Sequence, residues 1–456
     1  MQGFSNRDYS LIDSIGILKS ELSGLLSSSR ERLGEIKSMR SSQQRVDSYT
    51  LLLRKILVDS SLCYLDGNLS FFNGVTYVAV DPKRASNIVS NLLIEMGVSP
   101  SDTRRINDMP FLVLSEREFS VDDSKVCFEN CVLDMSSGEV LEHSRDIITD
   151  YERPFAFHKD SSYSMWQRFL DEVMPDKDEQ SCLQEFFGLC FLDRSRYSVE
   201  KFAMFIGSGS NGKSVVFDVI KAVIGKQYVS FLDPTQLMDA KNLIDVDGKR
   251  LNFAPDIRKG ASFDSALKAL SSGQEVTGWK MYEGGKVIKC PPLVFAMNEL
   301  PKFRDVTSAF FRRILLFSFD VTIPDSKQDK SLAAKIIRNE SSGVFRWIMN
   351  GLWRMQERLS KGEREFTCCE KMAKNLESLK KRVRNEENPV LQYLDNAGWS
   401  TEPTWDGQEP EKVRANDLFA AMQGRVSMNA IARELTSLHV KKVKTSGVMY
   451  YLYRKD

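Results

Sequence analysis

One segment restricts this chain more than any other: Gly207-Ser208-Gly209-Ser210-Asn211-Gly212-Lys213-Ser214. An apolar run of strand length, Lys201 to Ile206, leads into it, and Val215, Val216, Val219, Ile220 and Val223 follow at helical spacing. Strand, glycine-rich turn and helix, with a lysine and a hydroxyl closing the turn, is the order a phosphate-binding loop requires. Glycines let the backbone turn tightly and approach phosphates without a Cβ clash. The exposed N–H groups and the helix N-terminus favour an anion. Lys213 then supplies a charge to the terminal phosphates and Ser214 a hydroxyl to Mg²⁺. The expected ligand is a nucleotide with its metal.

Further buried runs follow. Lys249 to Ala254 reads as a second strand ending at Asp256, a carboxylate able to hold the Mg²⁺ shell or orient water, or else a turn residue or helix cap. Pro292 to Met297 reads as a third, with Asn298 at its tip, where an amide can sense a γ-phosphate. Phe310 to Phe319 places Arg312 and Arg313 before a fourth. Such a pair is ordinarily a solvated or ion-paired face, but an arginine reaching a neighbouring subunit's phosphate stabilises transition-state charge.

The order GSGSNGKS, KRLNFAPD, PPLVFAMNELPKF, FFRRILLFSF resembles the superfamily 3 helicases, compact AAA+ motors of small DNA viruses, and most of all their poxvirus and phage/plasmid primase–helicase branch. Phe128 to Asp134 with Gly138, Glu139 and His143 resembles the element preceding that motor, and Trp166 to Leu192 its helical collar. The resemblance implies an α/β fold: an AAA+ P-loop ATPase core, a helical collar before it, a mixed α/β N-terminal region and a C-terminal winged-helix-like domain. It implies ATP and Mg²⁺ as cofactors, Lys213 and Ser214 as the Walker A pair, Asp256 as the Walker B acid, Asn298 as sensor, and Arg313, or less favourably Arg312, as arginine finger. The chain departs from the branch at Asp256-Ile257-Arg258, where glutamate and further acids are usual, and at Gly273-Gln274, where Gly-Asp is frequent.

Expected boundaries are a helical segment 1–60, a mixed α/β domain 61–160, a collar 161–199, the core 200–325, a helical connection 326–392 and the winged-helix-like domain 393–456. Leu11, Ile15, Leu18, Leu22 and Leu25 fall on one helix face, for docking on its own domain or for a partner helix. Val75 to Val80 and Lys125 to Val132 read as strands. Between Asp256 and Asn298, Gly284-Gly285 reads as a hairpin turn; in the family this hairpin projects into a ring channel, which implies that Lys280, Lys286 and Tyr282 contact single-stranded DNA. Near the end, helices over Val413–Gln423 and Ser427–Leu435 precede a hairpin carrying Lys441, Lys442 and Lys444, a locally basic unit suited to origin duplex DNA or to a protein contact.

Composition sets the remaining limits. Apolar residues at 42% and charged residues at 27% suit soluble domains with real cores, and a net charge of +1 means that any nucleic-acid surface must be local. Eight cysteines without zinc-knuckle spacing suggest reduced buried thiols, with Cys127, Cys131 and His143 the one alternative metal set. No signal peptide or membrane span is visible, so the expectation is a cytoplasmic protein of the host cell that contacts no membrane. The resemblance implies a replicative DNA helicase acting as a homo-oligomeric ring, a hexamer, alongside a separate primase or polymerase. The rival is an ATP-switched initiator or structural ring that binds origins and unwinds little.

Overall fold

The computed structural model describes residues 11–65, 67–95, 97–106, 118–149, 152–192, 197, 199–257, 262–263, 265–280, 284–299, 301–303, 307–387, 389–401, 403, 408–422, 426–437, 440–444 and 447–454. At its centre lies a wholly parallel sheet of β1 (Phe202–Ile206), β2 (Val229–Ser230), β3 (Leu251–Ala254), β4 (Leu293–Met297) and β5 (Ile314–Ser318), in the order β2-β3-β4-β1-β5. Side chains alternate across a strand, and both faces of a parallel sheet are normally covered, which demands unbroken apolar runs. Accordingly β1 sends Ala203 and Phe205 into one core and Phe202 and Met204 into the other. The first core takes the Lys213–Ile224 and Leu332–Ser360 helices. The second takes Leu379 and Val383 of the Glu370–Glu387 helix.

Pro175-Asp176 separates the Ser164–Val173 and Lys177–Gly188 helices, and the Asp176 carboxylate caps the second by accepting from the N–H groups of Asp178 and Glu179. The Leu332–Ser360 helix crosses both. Two glycines let the backbones meet: a Cβ on Gly351 would lie 2.2 Å from the Gln184 carbonyl oxygen, and one on Gly188 would lie 2.6 Å from the Leu352 nitrogen. Beside this crossing, fully buried Glu185 accepts from Arg354 Nε at 2.6 Å, Arg358 Nη1 at 3.1 Å and Thr367 N at 2.8 Å. Glu340 caps the Ser164–Val173 helix, accepting from Met165 N at 2.9 Å and Trp166 N at 3.0 Å. The stretch expected as a connection therefore packs into the main body as far as the Glu370–Glu387 helix. The next helix, Pro389–Asn396, instead gives Val390, Leu391 and Leu394 to a separate C-terminal core with Leu418, Ile431 and Leu435.

Nearer the N-terminus, Ile15, Leu18 and Leu22 of the Leu11–Ser28 helix join Tyr49, Leu53, Ile88 and Leu92 in one core, so its apolar face is covered by its own domain. The run read as one strand over Lys125–Val132 is instead a hairpin, Lys125–Phe128 paired with Val132–Asp134. Its turn is pinned by Asn130, which donates Nδ2 to Phe157 O at 3.0 Å and accepts Phe157 N at 2.8 Å. The alternative metal set does not assemble. Burial pushes the Cys127 thiol up to about 12, His143 Nε2 lies 2.8 Å from Phe128 O, and no metal-binding cluster occurs among the described residues.

At the C-terminus, the helix expected from Val413 begins only at Ala415, because Glu411–Arg414 is drawn into a sheet. The central strand Val448–Arg454 pairs with Trp399–Ser400, Glu411–Arg414 and Lys442–Lys444, a larger sheet than a single hairpin. Among the described residues no helix is long and apolar enough to cross a membrane.

Candidate active site

The glycine-rich loop leaves β1 at Gly207 and enters the Lys213–Ile224 helix. Positive φ at Gly209 (103°), Ser210 (49°) and Gly212 (90°) folds it over the helix N-terminus. A Cβ at Gly212 would lie 2.9 Å from both Phe169 and Val173, so the Ser164–Val173 helix seats the loop. From the other side, Asn211 Nδ2 donates to Phe319 O at 3.1 Å and Ile323 N donates to Ser210 O at 2.9 Å. Neither brace is visible in the motif itself.

Lys213 Nζ donates to Gly207 O (2.6 Å), Asn211 Oδ1 (3.2 Å) and Asn298 Oδ1 (3.1 Å). Burial pushes its ammonium below the ordinary lysine range, and the Asp256 carboxylate partly offsets this. Ser208 and Ser214 are exposed, as are Asp256 beyond β3 and Asn298 beyond β4. Because β4 lies between β3 and β1, the three strand ends set Asp256, Asn298 and the loop side by side. A partly desolvated cation held only by oxygens, with an amide, a carboxylate, a hydroxyl and a helix N-terminus around it, fits a triphosphate and its Mg²⁺. Lys213 and the loop N–H groups are suited to the phosphates, and Ser214 and Asp256 to the metal.

The arginine pair lies at the other end of the sheet. The β1/β5 register runs from Phe202 opposite Ile314 to Ile206 opposite Ser318, which puts Arg312 and Arg313 beside the start of β1. At roughly 3.3 Å per residue, this strand length holds them about 15 Å from their own loop. Glu200 Oε2 accepts from Arg312 Nη2 at 2.9 Å and Arg313 Nη2 at 2.8 Å. Arg313 is only 10% exposed and also donates Nη1 to Ala309 O at 2.5 Å, whereas Arg312 is 65% exposed. Arg313, the expected finger, is thus anchored within its own chain, whereas Arg312 faces out. Sequence reasoning passed over Glu200, though it is the sole acid between Asp193 and Asp218.

In the long hairpin, Glu275–Lys280 pairs with Gly284–Lys289. Gly284 and Gly285, expected as the turn, are strand residues opposite Lys280 and Trp279. Tyr282 and the Lys280 side chain lie outside the described residues. Lys286 pairs with Asp247 at 2.6 Å, on the face where Ile288 is buried. The opposite face presents Trp279 (53% exposed) and Val287 (60%). Lys441, Lys442 and Lys444 are exposed at the C-terminal sheet.

Comparison with known proteins gives two partial family matches. Residues 79–175 match a family described as D5 N terminal like, and residues 205–313 match a family of unknown function, DUF5906. The first begins upstream of the segment in which the sequence resemblance was found. A curated relative, "Putative helicase L207/L206" of Acanthamoeba polyphaga mimivirus, is 24% identical over 212 residues, covering 42% of this chain and 21% of the relative. The match thus takes in about a fifth of that protein. Two solved apo structures of the NrS-1 C-terminal region align at 12% identity, with TM-scores of 0.46 and 0.47 over 89% of this chain and 98% and 100% of theirs.

Proposed function

We propose that this chain is an ATP-driven DNA helicase of the superfamily 3 type, acting in the replication of a virus, phage or plasmid-like element. The observation that carries this is the meeting of Lys213 with Asn298 at 3.1 Å at adjacent strand ends, within the field of Asp256. The mimivirus relative and the D5-like match support a helicase-type role in viral replication.

The roles follow from chemistry. Lys213 exchanges its three oxygen partners for phosphate oxygens, and the loop N–H groups hold the remaining charge. Ser214 and Asp256 would hold Mg²⁺, which would neutralise charge on the phosphates. Asn298, released from Lys213, is free to orient water. The strand length that separates the arginine pair from its own loop favours action on a neighbouring copy, hence a homo-oligomeric ring, with Arg312 the exposed member of the pair. The AAA+ core is supported by the parallel order β2-β3-β4-β1-β5 with the loop on the strand between β4 and β5. Single-stranded DNA contact by the hairpin rests on exposed Trp279 rather than on Lys286, which Asp247 holds. The helices Ala415–Ala421 and Met428–Ser437 with the strands that follow support a winged-helix-like end.

The test is DNA-stimulated ATP hydrolysis coupled to strand displacement. Both should be present in the wild type and absent in Lys213→Ala. Nucleotide binding without turnover or displacement would point instead to the ATP-switched initiator.

A further inference from the structure

The strand Val448–Arg454 alternates sharply. Tyr450 and Leu452 are 1% and 0% exposed within the C-terminal core, so Met449, Tyr451 and Tyr453 stand on the outer face of the sheet. The pairing register fixes their companions there. Lys412 lies opposite Tyr451, Arg414 and Val443 opposite Met449, and Ser400 opposite Tyr453. Lys412 and Lys441 bring their ammonium groups to 5.7 and 5.2 Å from the Tyr451 ring centroid. Tyr451 thus stands between two lysines, with Tyr453 two residues further on and Arg414 alongside. The nearest carboxylate in the register, Glu411, lies opposite Leu452 on the core side and is drawn to Arg454 at 3.8 Å. The outer face is therefore basic and aromatic, in a chain whose net charge is only +1.

We propose that this sheet face is a platform for single-stranded nucleic acid, with Tyr451 and Tyr453 stacking on bases and Lys412, Lys441 and Arg414 holding phosphates. Duplex recognition needs an element that enters a groove, whereas a flat sheet carrying half-exposed rings among cations offers stacking to unpaired bases and charge to a backbone. This surface is distinct from the hairpin and from the Met428–Ser437 helix, and it does not depend on the hydrolysis reading. It makes the C-terminal unit a holder of single strand rather than only a reader of duplex.

The experiment uses the full chain without nucleotide and a 5-bromodeoxyuridine-substituted single strand of about 20 nucleotides, longer than the roughly 4–16 that such surfaces occupy. Photo-crosslinks should map to the Val448–Arg454 strand. In anisotropy titrations Tyr451→Ala should weaken single-strand binding by about tenfold, and Tyr451→Phe, which keeps the ring, should not. Lys412→Gln with Lys441→Gln, both side chains being at the surface, should lower the salt slope by about 1.4, at roughly 0.7 per phosphate lost on a single strand. Binding of a ribo-oligonucleotide at the same site supports the proposal equally, since stacking reads either sugar. Crosslinks confined to other segments would overturn it. So would an unchanged slope in the lysine variant, or duplex affinity falling as far as single-strand affinity. A face that binds neither strand would belong to a protein partner.

Discussion

Arg312 and Arg313 share one carboxylate oxygen yet should fail in different ways when removed. Arg313→Ala deletes a guanidinium that is 10% exposed, with a 2.8 Å ion pair to Glu200 and a 2.5 Å bond to Ala309 O. Breaking a buried pair by removing one partner costs about 3–5 kcal/mol. Glu200 is 36% exposed and keeps Arg312 at 2.9 Å, so the residual charge is neither dry nor unpaired. That brings the expected cost to about 1–3 kcal/mol. At about 2–4 °C per kcal/mol for a body of 150–250 residues, Tm should fall by roughly 2–12 °C. Arg312→Ala removes a 65% exposed side chain whose surface pair contributes about 0–1 kcal/mol, so its melting should be nearly that of the wild type. If Arg312 stabilises the transition state at a neighbour's phosphates, the same variant should lose about 10³–10⁵ in turnover with nucleotide affinity intact. Scanning fluorimetry and steady-state hydrolysis on both variants give the four numbers needed. Arg312→Ala that hydrolyses at the wild-type rate, or that melts as early as Arg313→Ala, refutes the division of labour.

Lys213→Ala should weaken triphosphate binding roughly 10–150-fold, the loss of a charge-assisted contact of about 1.5–3 kcal/mol, measured by fluorescent-nucleotide titration. Burial holds the Lys213 ammonium below the ordinary lysine range, and a neighbouring phosphate would raise it again. Binding therefore needs the protonated form and should weaken as pH rises through the lowered value, before an ordinary lysine would titrate; calorimetry in buffers of different ionisation enthalpy should detect proton uptake there. Gly212→Ala meets Phe169 and Val173 at 2.9 Å with φ at 90°, so nucleotide binding should vanish while far-UV circular dichroism stays native. Glu185→Ala strips a fully buried acceptor from Arg354, Arg358 and Thr367; as the two arginines are 34% and 28% exposed, it should cost about 1–3 kcal/mol in denaturant unfolding. Asp247→Asn releases Lys286 and should steepen the salt dependence of single-strand binding by about 0.7.

What was legible in the chain was what is local. The glycine-rich loop with its strand and helix, the apolar runs of β3 and β4 with polar tips at Asp256 and Asn298, and the helix break at Pro175-Asp176 all depend on residues within a few positions of one another. Period and turn chemistry report such features directly. The misreadings arose where pairing decided the outcome. Gly284-Gly285 looks like a turn, yet its register opposite Lys280 and Trp279 makes it strand. Lys125–Val132 looks like one strand, yet Asn130 folds it into two by bonding to Phe157.

Glycine placement and apolar period were enough to put a tight glycine-rich loop on a buried parallel strand, because they leave a chain few other ways to satisfy its backbone. Which side chains stand available was settled by long-range packing. It turned Arg313 inward and Arg312 outward, gave Lys286 to Asp247, and made Gly212 the seat of the Ser164–Val173 helix. Each of these rests on a partner distant in the chain, such as Glu200 for the arginines, and exposure is a property of what packs against a residue rather than of the residue.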